Sequence, residues 1–204
     1  RIGVANIVTT SKRQPMRILL HGVEKVGKTS FAAEAPSPVF LCPEEGLPPA
    51  LSSTPHFDAP AGGWTWPDVI DAVRSLAGDG HSFETLVLDT ADWIEPLVWR
   101  DLCERNKWAS IEDPGYGKGY SAALDEWRRL LAELEQLRRA RGMHVIILAH
   151  SAVRTFKDPE SEGWDRYELK LNTKAGGVLK EWVDAVLFAK HDQLATKDAK
   201  TKRV

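Results

Sequence analysis

Gly22-Val23-Glu24-Lys25-Val26-Gly27-Lys28-Thr29 has the spacing G-x-x-x-x-G-K-[ST], and Ser30 follows directly. Glycines at such positions let backbone N–H groups turn inward around an anion without a Cβ in the way. The lysine then brings a point charge to the β and γ phosphates, and the adjacent hydroxyl can ligate Mg²⁺. Gly22 to Ser30 are therefore expected to cradle the phosphates of a nucleoside triphosphate. Lys28 is expected to act on the transferred group, and Thr29 on the metal.

A phosphate loop of this kind needs an acidic residue at the tip of a neighbouring strand, holding Mg²⁺ through water. Leu86-Val87-Leu88-Asp89 supplies one, with Thr90 beside it. Hydrolysis also needs a group that orients the attacking water. Glu44 and Glu45 follow the apolar run Val39 to Cys42, with Pro43 between. The carboxyl end of a strand in an open α/β sheet faces the ligand crevice, so either is a candidate base. His150 ends the run His144 to Ala149 on the same edge. It is placed to touch the γ-phosphate and to pass its presence to the segment that follows.

These residues must be held by strands that alternate with helices. Met16 to Leu20, Val39 to Cys42, Leu86 to Leu88, His144 to Ala149 and Ala185 to Ala189 read as buried strands. Helical periods lie between them, so a mainly parallel α/β sheet flanked by helices is expected. Thr29 to Ala35 reads as a helix stopped by Pro36 and Pro38. Thr65 and Asp68 have capping-box spacing ahead of Val69, Ile70, Val73 and Leu76. Trp93, Ile94, Leu97, Val98 and Leu102 follow at helical spacing. Leu124 to Leu137 form a long amphipathic helix ending near Gly142, on which Arg128, Arg129, Arg138, Arg139 and Arg141 read as a solvated face. Glu112 to Tyr120, with three glycines, reads as a loop. Ser151 to Lys174 reads as a mobile loop with room for a hairpin, and Val178 to Trp182 as helical.

The chain of 204 residues can bury one sizeable core and is short for two full domains. Its organisation is read as an arm or lead over residues 1–15, a core over 16–194 and a polar, basic tail over 195–204. Arg1 in place of Met, and an end at Lys202-Arg203-Val204 without a cap signal, are read as a trimmed piece. A net charge of -2 makes no global positive field, so any nucleic-acid contact must come from a local patch. Two cysteines in no zinc spacing fit a reducing interior. The longest strongly apolar run, Val145 to Ala149, is far below the ~20 residues of a membrane span, and no membrane role is expected.

The order of these features resembles the RecA-like recombinase core. More closely, it is similar to the phage-encoded RecA-like ATP-binding proteins grouped with single-strand annealing recombinases. The residues that carry the resemblance are Gly22 to Thr29, Phe40 to Gly46, Leu86 to Thr90, Tyr116 to Tyr120, Val145 to Ser151 and Asp165 to Asp184. The resemblance implies an ATPase with Mg²⁺, Glu44 as the water-activating residue with Glu45 as second choice, and His150 where RecA has Gln. Cys42 stands where the core usually has Asp. It also implies two DNA-facing loops, here Glu112 to Tyr120 and Ser151 to Lys174. Tyr116 and Tyr120 can stack on bases, while Lys118, Arg154, Lys157 and Arg166 can meet phosphates.

Three functions remain open at this level. The first is an ATP-dependent recombination or annealing protein that assembles as a ring or filament on single-stranded DNA. A single-strand-binding protein is a possible partner, and the host cytoplasm the expected site. The second is an accessory ATPase of phage replication, acting through protein partners without touching DNA. The third is a small-molecule kinase, with Arg154 and Arg166 as lid arginines.

Overall fold

The computed structural model of the chain describes residues 14–44, 47, 49–78, 80–156 and 163–192. Residues 1–13 of the expected arm, the tail 195–204, Glu45 and Lys157 lie outside the described residues. The elements run β1 (Arg17–Gly22), α1 (Lys28–Ala33), β2 (Pro38–Leu41), α2 (Trp66–Ser75), β3 (Thr85–Leu88), α3 (Ala91–Asn106), α4 (Lys118–Arg141), β4 (His144–Phe156), β5 (Trp164–Leu169), α5 (Thr173–Trp182) and β6 (Ala185–Ala189). The sheet order is β2-β3-β4-β1-β6, and every pair along that path is parallel. β5 pairs antiparallel with the far end of β4. Among the described residues, no helix is long and apolar enough to cross a membrane.

Side chains alternate across the two faces of this sheet, and both faces are used. Leu19, Leu41, Leu88, Val145, Ile147 and Ala149 enter a large core with α2, α3, α4 and α5. Leu20, Phe40, Val87, Ile146 and Leu148 enter a smaller one on the opposite face, with Ala32 of α1. The same period carried one step on from Leu20, Phe40, Val87 and Leu148 reaches Gly22, Cys42, Asp89 and His150. The ends of β1, β2 and β3 and the middle of β4 thus arrive on the α1 face, where the phosphate loop enters its helix.

Local signals in the chain behave as their chemistry predicts at several points. The Thr65 backbone N–H donates to Asp68 Oδ2 at 2.9 Å and the Asp68 N–H donates to Thr65 Oγ1 at 3.4 Å, so the expected capping box starts α2. Trp127, Leu130, Leu134 and Leu137 form the buried stripe of α4. Gly142, at φ 67, caps its end.

Four expectations are corrected. The glycine segment is shorter than Glu112 to Tyr120, because α4 already starts at Lys118. A Cβ at Gly119 would sit 1.8 Å from the Ile111 carbonyl oxygen, so the chain packs there as only glycine allows. Within Ser151 to Lys174 the hairpin that the sequence leaves room for is present, but the described residues are no loose loop: β4 runs on past His150 to Phe156 and pairs antiparallel with β5, in register from Ser151↔Leu169 to Phe156↔Trp164. The β-branched Val153 and Thr155 suit that continuation. The last helix begins at Thr173 rather than Val178, because the Asn172 side chain caps it by accepting from the Lys174 N–H at 3.1 Å. Arg138 is not on a solvated face. It is buried, donates to the Pro15 carbonyl at 2.8 Å and pairs with Glu135 at 2.7 Å, pinning the entry to β1.

Candidate nucleotide site

β1 delivers the chain to the loop at Gly22, between β4 and β6. A Cβ on Gly22 would lie 2.4 Å from the Ala189 carbonyl oxygen, so the approach to β6 excludes any side chain. Gly27 sits at φ 98 as the N-cap of α1 and makes no side-chain cap bond. The first N–H groups of the helix are thus left without a side-chain partner, as an anion cradle needs. Lys28 folds back across the loop, donating from Nζ to the Gly22 carbonyl at 3.1 Å and the Val23 carbonyl at 2.9 Å. Burial lowers its pKa, against the opposing pull of Asp89, Asp92, Glu24 and Glu44. An ammonium lodged there gains from an anionic ligand.

Thr29 Oγ1 donates to Asp89 Oδ2 at 2.8 Å. Asp89 is buried, and burial raises its pKa, with the Thr29 hydrogen bond and the charges of Lys28 and His150 pulling the other way. The hydroxyl and carboxylate that Mg²⁺ requires are therefore already adjacent. A buried carboxylate that burial disfavours is relieved by a cation. Among the described residues no cluster of three or more His, Cys, Asp or Glu could hold a metal unaided. A cation at Thr29 and Asp89 would take its remaining ligands from phosphate and water, as Mg²⁺ does.

A cavity of about 570 Å³ opens over these groups, lined by Lys28, Thr29, Asp89, Glu44 and His150, with Leu47 and Pro49 as an apolar flank. Glu44 is exposed at its mouth. Its pKa is raised by partial burial and by the acidic neighbours Asp89, Asp92 and Glu24, with His150 opposing. A carboxyl poised upward is suited to accept a proton from water. Cys42 also lines the cavity, and burial, with Asp89 and Glu44 nearby, pushes its thiol up to about 12. It is a neutral wall residue, not a nucleophile. Of the loop residues, Lys25 and Ser30 reach the cavity, and the Glu24 carboxylate lies 4.0 Å from the Lys170 ammonium. Val23 contributes its carbonyl to Lys28, and Val26 Cγ1 packs over Gly22.

Two carboxylates of α3 escape a reading by motif. Asp92 accepts from the His150 backbone N–H at 2.8 Å through Oδ1, and its Oδ2 lies 2.7 Å from His150 Nδ1. Glu95, one turn on, is buried and accepts from the Asn172 N–H at 3.0 Å with each oxygen. Burial raises its pKa to about 7 against the Asn172 bond, helped by Asp92 and opposed by Arg154. In the sequence, Asp92 looks like an ordinary acid favouring a helix N-terminus. The only hint is its position three residues after Asp89.

The residues proposed for DNA fall in two groups. Tyr116, at φ 48, is fully exposed between Gly115 and Gly117. Lys118 and Tyr120 stand in the first turn of α4, where the Tyr120 hydroxyl donates to Glu112 at 2.9 Å and its ring meets Trp99 edge-on. Arg154 and Arg166 face each other across the hairpin. Arg154 donates to the Leu171 carbonyl at 2.7 Å and to Thr173 Oγ1 at 3.0 Å. Arg166 pairs with Glu168 at 2.6 Å and lies over the Phe156 ring.

Comparison with known proteins agrees with the geometry. A family model described as an AAA domain matches residues 14–204. No curated protein matches the chain. The match spans the phosphate loop, the strand tips and the hairpin together, and the chain belongs to the AAA domain family of nucleotide-binding P-loop ATPases.

Proposed function

We propose that this ATPase domain works on single-stranded DNA, as a RecA-like recombination or annealing protein of the phage-encoded group, with ATP and Mg²⁺ bound at Gly22 to Ser30, Thr29 and Asp89. The observation that carries this reading is the continuity of β4. One strand bears His150 at the nucleotide cavity and, four residues further, Arg154 on the hairpin. Phe156, Trp164 and Tyr167 are exposed on that hairpin, beside Arg166. Aromatic faces and guanidinium groups together make a stacking platform for unpaired bases. A change at the γ-phosphate end of such a strand has a direct mechanical route to the platform.

In this reading Lys28 neutralises the transferred phosphoryl group, Glu44 orients water, and His150 reports the γ-phosphate. Self-association into a ring or filament, and cooperation with a single-strand-binding protein, belong to the same proposal. Labelled single-stranded DNA titrated with a non-hydrolysable ATP analogue across salt tests it. Binding should tighten with the analogue and weaken steeply as salt rises. Absence of DNA binding in every nucleotide state would overturn it, and a strictly monomeric, fully active enzyme would remove the assembly.

A second reading has an observation of its own. Arg166 and Lys180 are both engaged by Glu168, and Arg154 by the Leu171 carbonyl, while Val153, Tyr167 and Phe188 are exposed. That pattern favours a protein partner on the hairpin, in an accessory ATPase of replication.

A further inference from the structure

His150 has two ring nitrogens, and one of them, Nδ1, faces a carboxylate of α3. Asp92, on the first turn of α3, spans a gap of 58 residues to meet it twice. One oxygen takes the backbone N–H at 2.8 Å and the other lies 2.7 Å from Nδ1. The two contacts fix both the strand at His150 and its ring. The Asp92 side chain is 7% exposed and that of His150 is 14% exposed, so water does not readily substitute for either partner.

We propose that Asp92 is a positioning residue for the nucleotide site: it holds a proton on His150 Nδ1 and so turns the Nε2 edge of the ring to the cavity shared with Lys28, Glu44 and Asp89. The proposal rests on the ATPase reading for its consequence, not for its geometry. An ionised carboxylate can only accept, so the nitrogen facing it must carry the hydrogen. Burial pushes Asp92 upward, but the hydrogen bonds from the His150 side chain and backbone outweigh it and leave the pKa below the usual range. Asp92 is therefore a fixed acceptor.

His150 also lies where its orientation matters. It lines the nucleotide cavity and a neighbouring one of about 460 Å³ that continues over Trp93 and Pro96. Glu44 is shared by the same two cavities. A ring turned by 180° about its Cβ–Cγ bond would put Cε1 where Nε2 stands and carry Nδ1 away from Asp92. Asp92 removes this freedom, the role a carboxylate plays behind many functional histidines.

Asp92→Asn tests the assignment, because it keeps the shape and an acceptor for the His150 N–H while its amide donates toward Nδ1. In the wild-type protein, ¹⁵N imidazole spectra should show His150 Nδ1 carrying a hydrogen. In the variant Nδ1 should lose that hydrogen and accept from the amide. The rate constant kcat for ATP should fall by roughly tenfold or more while KM changes less than about threefold, as for a group acting in the reaction and not in uniform binding. His150→Ala and the double variant should then share one kcat, since the pair acts as a unit. An unchanged imidazole spectrum in Asp92→Asn, or a double variant whose loss is the product of the single losses, overturns the proposal. A melting temperature near wild type separates these effects from misfolding. If the wild-type protein hydrolyses no nucleotide, the ATPase reading fails by itself, and the imidazole spectrum still decides the role of Asp92.

Discussion

Thr29 Oγ1 donates to Asp89 Oδ2 across 2.8 Å, joining the first turn of α1 to the tip of β3 over sixty positions of sequence. The pair holds together the two groups that a divalent cation would use. Chelating Mg²⁺ should therefore lower the nucleotide affinity of the wild-type protein by roughly tenfold or more, about 1.4 kcal/mol. In Asp89→Asn the effect of chelation should shrink below about threefold. Titration of a fluorescent nucleotide with and without EDTA measures both, and equal EDTA effects in the two proteins would remove Asp89 from the metal.

Lys28 is held over the loop by two carbonyls that cannot neutralise it. Its charge should be met by phosphate, in a bond worth about 1.5–3 kcal/mol. Lys28→Ala is expected to weaken triphosphate binding by about ten- to a hundredfold. Isothermal titration with the triphosphate and the bare nucleoside gives the check: only the triphosphate should suffer.

Glu44 is the described candidate for the base, and Glu45 is its sequence neighbour. Glu44→Gln should retain nucleotide within about threefold while hydrolysis falls by about 10²–10⁴. Phosphate release under saturating nucleotide gives the rate. The raised Glu44 pKa sets the sign of the pH response: protonation removes the base, so kcat should fall on acidification at a pH above the ordinary carboxylate range. If Glu45→Gln alone silences turnover, the role passes to Glu45.

Glu95 makes stability depend on pH in the sense opposite to a salt-bridged acid. Folded Glu95 keeps its proton up to about 7, against an ordinary 4.5. Between these values the folded state binds more protons than the unfolded one, so stability falls as pH rises through the window. The full cost, on the order of 3 kcal/mol, is present above it. Glu95→Gln should therefore gain stability relative to wild type between pH 5 and pH 8. Denaturant melts at the two values measure this, and a constant difference between the proteins would refute it.

The phosphate loop was legible before any fold, because its chemistry lies in nine consecutive residues, Gly22 to Ser30, whose backbone geometry is local. Asp89 could be placed at a strand tip, and Glu44 shortly past one, for a similar reason, since an acid closing or soon following a short apolar run is a local pattern. The capping box at Thr65 and Asp68 is equally short-range. The extent of the hairpin was less legible: charged and aromatic residues alternate along β4 and β5 without a strong apolar period, so the strand past His150 read as loop.

Pairings across the fold had no local signature. Asp92 meets His150, Glu95 meets Asn172 and Arg138 meets Pro15, at separations of 58, 77 and 123 residues. Those contacts exist because β4 lies between β3 and β1 and because α3 starts directly over the tip of β3. Strand order and helix crossing are set by burying both faces of the sheet at once, a collective condition that no run of residues carries alone.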